Sequence, residues 1–386
     1  MKAVRRKDGI GRESVDRKDR LDMVGFGTML FGELNEEKEA MKLLDRARER
    51  GISFFDTAEM YPVPQRQETQ GLSEEIIGKW LKSRSIPRSE VAIATKVTGP
   101  SGQMSWIRDG PRRIDREAIT SAVEGSLRRL DVDYIDVYQI HWPDRYVPMF
   151  GESLYDSSRA YSAVPLEEQM EAMGSLVQQG KIREVGLSNE SPFGLMRCCN
   201  LAKQSCCKMM EEEGEEEDEE GEEEFPGKTY YPKISYIQNA YNLMCRSFDS
   251  SLLECCLEEK VKLLAYSPLA MGLLTGKYLR NGGPADGRLN LYKGRYSEAE
   301  TRYEQRPAVI EAVKQYASVA AKHGMTPLEL AIRFALSNPC MGKTIVGATN
   351  CSQLDEIVRA AGEGSLSEAV LADVKSIHRN IPNPTP

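Results

Sequence analysis

The chain has 386 residues, of which 40% are hydrophobic and 28% charged, and its formal net charge at pH 7 is −8. This composition is typical of a folded globular protein and excludes a fibrous or wholly disordered chain. No apolar run approaches the roughly 18 residues that a transmembrane helix needs, so we expect no membrane span. Residues 1–20 form a charged tail without an apolar stretch, which excludes a secretory signal and leaves a cytoplasmic location as the expectation.

Eight short apolar runs alternate with helical stretches along the chain. We predict strands at 21–28, 52–57, 91–97, 134–141, 182–188, 234–239, 261–267 and 343–348. The helices predicted between them include 36–50, 73–84, 115–130, 165–180 and 249–260. Apolar strands alternating with helices indicate a parallel sheet, and eight such units predict an α/β fold, a (β/α)8 TIM barrel, as one domain over 21–386. A doubly wound open sheet is the alternative, but the Gly-x-Gly at 25–27 lacks dinucleotide-fingerprint spacing.

Two long segments follow the third and fourth predicted strands directly. They are residues 99–111 and 143–165, and they carry Trp106, Tyr146, Phe150 and Tyr155. Because the loops after the strands of such a barrel surround its mouth, we expect these long loops at the C-terminal face to form walls of a substrate site.

One segment dominates the net charge. Residues 211–224 contain twelve acids among fourteen residues, and the rest of the chain carries a small positive charge. Such a run repels itself and cannot bury apolar surface, so we predict a disordered acidic low-complexity insertion at about 205–228. It could contact a basic partner; a tolerated surface insertion is the alternative, because long loops cost little extra entropy. No basic stripe with interleaved aromatics occurs, so no nucleic-acid binding is expected.

The cysteines and histidines argue against a metal site. The nine cysteines fall mostly as adjacent pairs without C-x-x-C spacing, and the chain has three histidines. We therefore expect reduced thiols and no bound metal.

Four polar residues lie at or just after the ends of predicted strands. Asp56 and Tyr61 stand in FFDTAEMYPVP, Lys96 in VAIATKV and His141 in YIDVYQIHWP. A tyrosine hydroxyl has an ordinary pKa of about 10, and a nearby lysine ammonium would lower that pKa while a carboxylate holds the lysine. An imidazole beside the same hydroxyl would orient a carbonyl. Together the four predict a site that protonates a carbonyl oxygen while a hydride arrives from elsewhere.

Several motifs resemble the aldo-keto reductase superfamily, in particular its Tas-like branch. They are DTAEMYPVP, ATKVTGPS, DVYQIHWP, GKIREVGLSNE, IQNAYNLMCRSF, LLAYSPLAMGLLTGKYL and TIVGATN. The resemblance covers about residues 21–380 and implies a (β/α)8 barrel that binds NADP(H) in extended form. It implies Tyr61 as proton donor, Lys96 and Asp56 as its tuning pair, and His141 as the residue that orients the substrate. Relatives begin with a β-hairpin that covers the barrel floor, whereas residues 1–20 lack its alternation.

The resemblance also implies three groups of cofactor contacts. The nicotinamide end would lie against Thr28, Met29, Asp56, Ser188, Asn189, Gln238 and Tyr266. The pyrophosphate would lie in a loop with Ser267, Pro268, Leu269, Gly272 and Lys277, a segment whose small residues, amides and one cation suit a phosphate. The adenosine 2′-phosphate end would meet Arg288, Gly347, Thr349, Gln353 and Glu356, with Arg280 and Arg295 as competitors of Arg288.

These observations predict NADPH-dependent reduction of aldehydes or ketones, with a small-molecule carbonyl as substrate. The alternative is a cofactor-binding regulatory or redox-sensing subunit resembling the β-subunits of potassium channels, which share the fold. In that branch an Asn commonly replaces the histidine, whereas His141 is present here. The histidine therefore favours the reductase.

Overall fold

The computed structural model describes residues 16–110, 112–213 and 230–386, with backbone alone for 206–213. Most of the predicted charged tail (1–15) and most of the predicted acidic insertion (214–229) lie outside the described residues. The tail's last residues are helical, and the helix before the insertion continues to Glu213. Glu, Lys, Gln and Met are good helix formers, which explains why this helix enters the segment predicted as a loop.

Eight parallel strands close into a barrel in chain order. They are β1 Val24–Gly27, β2 Phe54–Asp56, β3 Ala92–Val97, β4 Ile135–Ile140, β5 Ile182–Ser188, β6 Ile234–Ala240, β7 Lys262–Tyr266 and β8 Met341–Val346. Each strand pairs with the next, and β8 pairs with β1, where Val346 lies opposite Phe26. The predicted (β/α)8 TIM barrel is confirmed, and the open sheet is excluded because such a sheet has two unpaired edges.

The helices surround the barrel or cover its ends. They are α1 Arg17–Asp22, α2 Glu37–Glu49, α3 Leu72–Ser83, α4 Arg116–Leu130, α5 Leu166–Gln178, α6 Pro192–Glu213, α7 Ser247–Ser251, α8 Leu253–Glu258, α9 Arg288–Leu291, α10 Ser297–Thr301, α11 Pro307–Lys322, α12 Pro327–Ala335, α13 Cys351–Gly362 and α14 Glu368–Asn380. The single helix predicted over 249–260 is instead divided into α7 and α8 at the buried Leu252.

The chain enters the barrel through helix α1, where the resemblance would place a hairpin. Asp16 caps α1, and Thr344 of β8 donates a backbone hydrogen bond of 2.7 Å to the carbonyl of Met23. Lys343 reaches the carbonyl of Asp22. These contacts attach the end of the helix to β8.

The barrel interior has an apolar layer beneath a polar one. Its buried apolar side chains are Phe54, Ala94, Val137, Leu264 and Ile345. Because side chains alternate across a strand, Asp56 and Lys96 point to the same interior two residues nearer the carboxyl ends of β2 and β3. This places the charged pair at the end of the barrel where such folds carry their active sites. Among the described residues, no helix could cross a membrane and no three acid, histidine or cysteine side chains form a metal-binding group.

Candidate active site

Asp56 and Lys96 form a buried ion pair at the barrel mouth. Lys96 Nζ donates to Asp56 Oδ2 at 2.8 Å and to the carbonyl of Thr57 at 2.6 Å. The other carboxylate oxygen accepts a 2.7 Å hydrogen bond from Gln238 Nε2. Burial lowers the pKa of Lys96, and the charge of Asp56 opposes this. Removing two charges from water is costly, so each member of this pair needs the other.

Tyr61 and His141 complete the cluster that the sequence predicts. Lys96 Nζ lies 5.1 Å from the centre of the Tyr61 ring. The Tyr61 and His141 rings are 5.6 Å apart and nearly perpendicular. The residues come from the ends of β2, β3 and β4, so neighbouring strands bring them together. The four predicted side chains therefore lie in one place.

The direction of the Tyr61 pKa differs from the sequence-based expectation. Burial raises the pKa of Tyr61 well above its ordinary value, and the negative charges of Asp56 and Glu298 raise it further. The prediction that lysine would lower this pKa gave too little weight to burial. The phenol is therefore protonated at neutral pH.

His141 is neutral for a related reason. Burial lowers its pKa well below the ordinary value, and the ammonium of Lys96 adds to the effect. A neutral imidazole carries one N–H donor, which suits a carbonyl oxygen.

The residues predicted around the nicotinamide are joined to one another and to the ion pair. Ser188 donates from its hydroxyl to the carbonyl of Gln238 at 3.0 Å. Asn189 Nδ2 donates to the carbonyl of His141 at 2.9 Å, and its Oδ1 accepts from the Tyr266 hydroxyl at 2.7 Å. Thr28 donates to the carbonyl of Asp56, and the adjacent Met29 carbonyl accepts from the backbone of Val63.

The predicted phosphate loop has an unusual backbone. From Ser267 it passes through Pro268 and Leu269 into a 3-10 segment, Ala270–Thr275, before Lys277. Ser267, Ala270, Met271 and Gly272 all have φ between 47° and 92°. For residues other than glycine this conformation is strained, and it is concentrated at functional sites.

Two cations lie close together after this loop. Partial desolvation lowers the pKa of Lys277, Asp286 opposes this, and the charge of Arg288 lowers it further. Within the described part of the chain, Nε and Nη2 of Arg288 are buried without a hydrogen-bond partner. Arg295, its competitor, is paired with Glu33 at 2.8 Å. Arg288 therefore has free donors for an anionic group, and the residues present fit a phosphate-bearing cofactor.

Apart from Arg288, the residues predicted for the adenosine end follow β8. The backbone N–H and hydroxyl of Thr349 both donate to Gln353 Oε1 at 3.0 Å. Asn350 caps α13 through the backbone of Gln353, and Glu356 lies half-buried one turn later. A side chain added at Gly347 would meet no atom within 4 Å, so space remains beside this residue.

One aromatic residue of the predicted substrate walls is joined to the catalytic cluster by ring contacts. Phe150 packs against Trp142, with ring centres 6.4 Å apart, and Trp142 packs against His141 at 4.8 Å. Tyr146 and Tyr155 instead contact each other at 5.3 Å, and Tyr155 is 60% exposed. Only Phe150 of these three is thus joined to the catalytic cluster through Trp142.

Sequence reasoning missed Glu298 and Arg302. They lie on and just after α10, form an ion pair of 2.8 Å, and are buried. The spacing of an acid four residues before an arginine was a readable helix signal. Nothing in that spacing indicated that the pair points inward.

Comparison with known proteins agrees with this geometry. The model of the aldo/keto reductase family matches residues 23–379. The chain therefore belongs to the aldo/keto reductase family, and we describe it as an oxidoreductase that acts on carbonyl compounds.

Individual relatives are similar over most of the chain. Protein tas of Escherichia coli (strain K12) is 38% identical over 365 residues, which cover 94% of this chain and 96% of that protein. An aldo-keto reductase of Babesia bovis is 38% identical over 285 residues, covering 71% and 90%. A probable voltage-gated potassium channel subunit beta of Oryza sativa subsp. japonica is 28% identical over 345 residues, covering 88% of each chain.

Proposed function

We propose that the protein is an NADPH-dependent reductase of aldehydes or ketones. The observation that carries this proposal is the cluster of Asp56, Tyr61, Lys96 and His141 around a buried phenol. Burial keeps that phenol protonated, as a proton donor for carbonyl reduction must be. The similarity to reductases of the same family supports it.

The residues divide the chemistry among them. NADPH, when bound, supplies a hydride from C4 of its nicotinamide to the carbonyl carbon. Tyr61 gives its hydroxyl proton to the carbonyl oxygen, so that an alcohol forms and a phenolate remains. Lys96 stabilises this phenolate through its ammonium charge, and Asp56 holds Lys96 in place. The neutral His141 donates a hydrogen bond that orients the carbonyl, and Tyr61 then regains a proton from water.

The phosphate groups of the cofactor would be held after β7 and β8. Lys277 and Arg288 would supply positive charge for the pyrophosphate, and the left-handed backbone at Gly272 leaves room for the side chain of Lys277 beside it. Gln353 lies in the first turn of α13 and Thr349 just before its cap residue, at a helix end whose amides favour an anion. The free donors of Arg288 support NADPH over NADH, because only the former carries a 2′-phosphate.

Replacing Tyr61 by Phe tests the proposal directly. This change removes the hydroxyl and keeps the ring. NADPH oxidation at 340 nm with 4-nitrobenzaldehyde or methylglyoxal should fall by about 10²–10⁴-fold, the usual contribution of a general acid. A fluorescence titration should show unchanged NADPH binding. Turnover retained by the variant would contradict the role of Tyr61.

A regulatory subunit is the second candidate, supported by the 28% identity to a probable potassium channel subunit beta. The presence of His141 beside Tyr61 disfavours it. Tight NADPH binding without turnover on the aldehyde panel would favour this candidate over the reductase.

A further inference from the structure

Arg302 lies just beyond α10 with its guanidinium at the edge of the barrel mouth. Nη1 donates to the Tyr266 hydroxyl at 2.8 Å and to Glu298 Oε1 at 2.8 Å. Nε donates to the carbonyl of Pro386 at 2.8 Å. The side chain is only 5% exposed. A guanidinium so deeply buried is costly unless its donors are paired, so these contacts determine its position.

The contact with Tyr266 continues toward the catalytic cluster. The Tyr266 hydroxyl accepts from Arg302 and donates to Asn189 Oδ1 at 2.7 Å. Asn189 Nδ2 donates to the carbonyl of His141 at 2.9 Å. An unbroken chain of hydrogen bonds therefore connects Arg302 with the backbone of a residue in the catalytic cluster. Tyr266 and Asn189, the two middle members, are residues that we expect to contact the nicotinamide.

Glu298 holds the guanidinium from its other side. Its second carboxylate oxygen accepts a 2.6 Å hydrogen bond from the Tyr296 hydroxyl. Glu298 is near enough to Tyr61 and Tyr266 to raise the pKa of both hydroxyls, although burial is the larger cause in each case. The charge of Arg302 lowers the pKa of Tyr266. The ion pair thus faces the reacting end of the site.

The same place joins two loops across the mouth. The Thr301 hydroxyl donates to the carbonyl of Phe150 at 2.8 Å. The Phe150 ring centre lies 5.6 Å from the guanidinium carbon of Arg302. Gly151 has φ of 106°, and a Cβ at this position would lie 2.9 Å from the backbone nitrogen of Arg302. The loop after β4 and the segment after β7 therefore contact each other at Arg302.

We propose that Arg302, held by Glu298, is a positioning residue that orients Tyr266 and Asn189 for the nicotinamide ring. The inference rests on the proposed function. Arg302 acts through the hydroxyl of Tyr266, because that is the contact it shares with the predicted cofactor site. Without the contact to its hydroxyl, the Tyr266 side chain would be less ordered in the free protein. The entropy lost when the cofactor orders this side chain would then weaken cofactor binding.

A double-mutant cycle tests this pathway. Arg302→Met and Tyr266→Phe should each raise the dissociation constant of NADPH by about 10–100-fold, the usual effect of losing a hydrogen bond to a charged group. The double variant should bind NADPH about as weakly as Tyr266→Phe alone, because once the hydroxyl is gone Arg302 has no contact with Tyr266 left to lose. Arg302→Lys should recover only part of the lost NADPH affinity. Its ammonium restores the charge but cannot reproduce all of the guanidinium contacts.

Arg306→Met is the matched control. Arg306 donates to the carbonyl of Pro384 at 3.0 Å and so holds the same segment as Arg302. No contact with Tyr266 or Glu298 is found among its hydrogen bonds in the described part of the chain. This variant should bind NADPH and turn over like the wild type.

The outcomes separate the two proposals. Wild-type protein that binds no NADPH overturns the proposed function and this inference together. If the wild type binds NADPH and turns over, and Arg302→Met binds NADPH as tightly as Arg306→Met, then Arg302 is a structural anchor only. This outcome overturns the inference and leaves the proposed function in place. If Arg302→Met does not fold, Tyr266→Phe decides, because it removes one hydroxyl: an unchanged dissociation constant contradicts the inference.

Discussion

Gln238 donates a 2.7 Å hydrogen bond to Asp56 Oδ1, on the side of the carboxylate opposite Lys96. The resemblance implies that this glutamine lies against the nicotinamide end of the cofactor. In the structure its side-chain amide donates a hydrogen bond to the carboxylate oxygen of Asp56 that Lys96 does not contact. The carboxylate therefore has a fixed orientation, with one oxygen for Lys96 and the other for Gln238.

Gln238→Met should destabilise the protein and slow reduction. It leaves one oxygen of a buried carboxylate without its donor, which costs about 1–3 kcal/mol or more in the free energy of unfolding. Urea unfolding and kcat measure the two effects. Gln139→Met is the control, since both polar atoms of the buried Gln139 side chain lack partners among the described residues. Equal stability losses in the two variants would contradict a special role for the Gln238 contact.

Lys96→Met should be far more destabilising than the paired change Asp56→Asn with Lys96→Met. The single variant leaves a buried carboxylate without its cation, which costs about 3–5 kcal/mol, whereas the double variant removes both charges. Urea unfolding of the wild type, Asp56→Asn, Lys96→Met and the double variant gives the comparison. A double variant less stable than Lys96→Met would show that the ion pair is not the source of the effect.

The pH profile of reduction should lack an alkaline limb near neutrality. Because burial raises the pKa of Tyr61 and lowers that of His141, both keep their required protonation states over a wide range. We expect kcat/KM to stay level between about pH 6.5 and 10, the ordinary pKa values of the two side chains. A loss of activity centred near pH 8 would contradict this prediction and would mean that Tyr61, or Lys96, whose pKa is lowered by burial, loses its proton there.

Acid should destabilise the fold in part through His141. Its folded pKa is lowered, so its stabilising contribution is present above the unfolded pKa of about 6.5 and is lost as pH falls from there toward the folded pKa. The free energy of unfolding, measured by urea titration at several pH values, should decrease as the pH is lowered from 6.5. This group accounts for at most about 1.4 kcal/mol per pH unit.

His141→Asn should make the decrease in the free energy of unfolding below pH 6.5 shallower. Burial also lowers the pKa of His378, which therefore contributes with the same sign. Only the difference between the variant and the wild type reports on His141. An identical slope in both proteins would mean that His141 does not take up a proton on acid unfolding.

Arg288→Gln should weaken NADPH binding by about 10–100-fold, as expected for losing a hydrogen bond to a charged group. NADH binding should change less, because it lacks the 2′-phosphate. Fluorescence titration with both cofactors measures the effect. Arg295→Gln, which removes only a pair with Glu33 at the surface, should leave both affinities unchanged. Equal weakening by the two variants would return Arg295 to the cofactor site.

Much of the fold was readable from local sequence. Apolar runs such as VAIATKV and YIDVYQIH predicted β3 and β4 to within a residue at each end, because strand formation follows local patterning. The division of 249–260 into α7 and α8 was not readable. No Gly or Pro within 249–260 marks the break at Leu252.

The sequence by itself determined the barrel and the four residues that meet at its mouth, since each lies at or just after the end of a short apolar run and neighbouring parallel strands align those ends. Tertiary structure alone decided the direction of the Tyr61 pKa and the place of Glu298 and Arg302. Both depend on the segment after β7, which carries Glu298 and Arg302. This segment packs against the loop after β4 and lies near Tyr61, which follows β2. Burial and charge at Tyr61 arise from that distant packing, which local patterns do not encode.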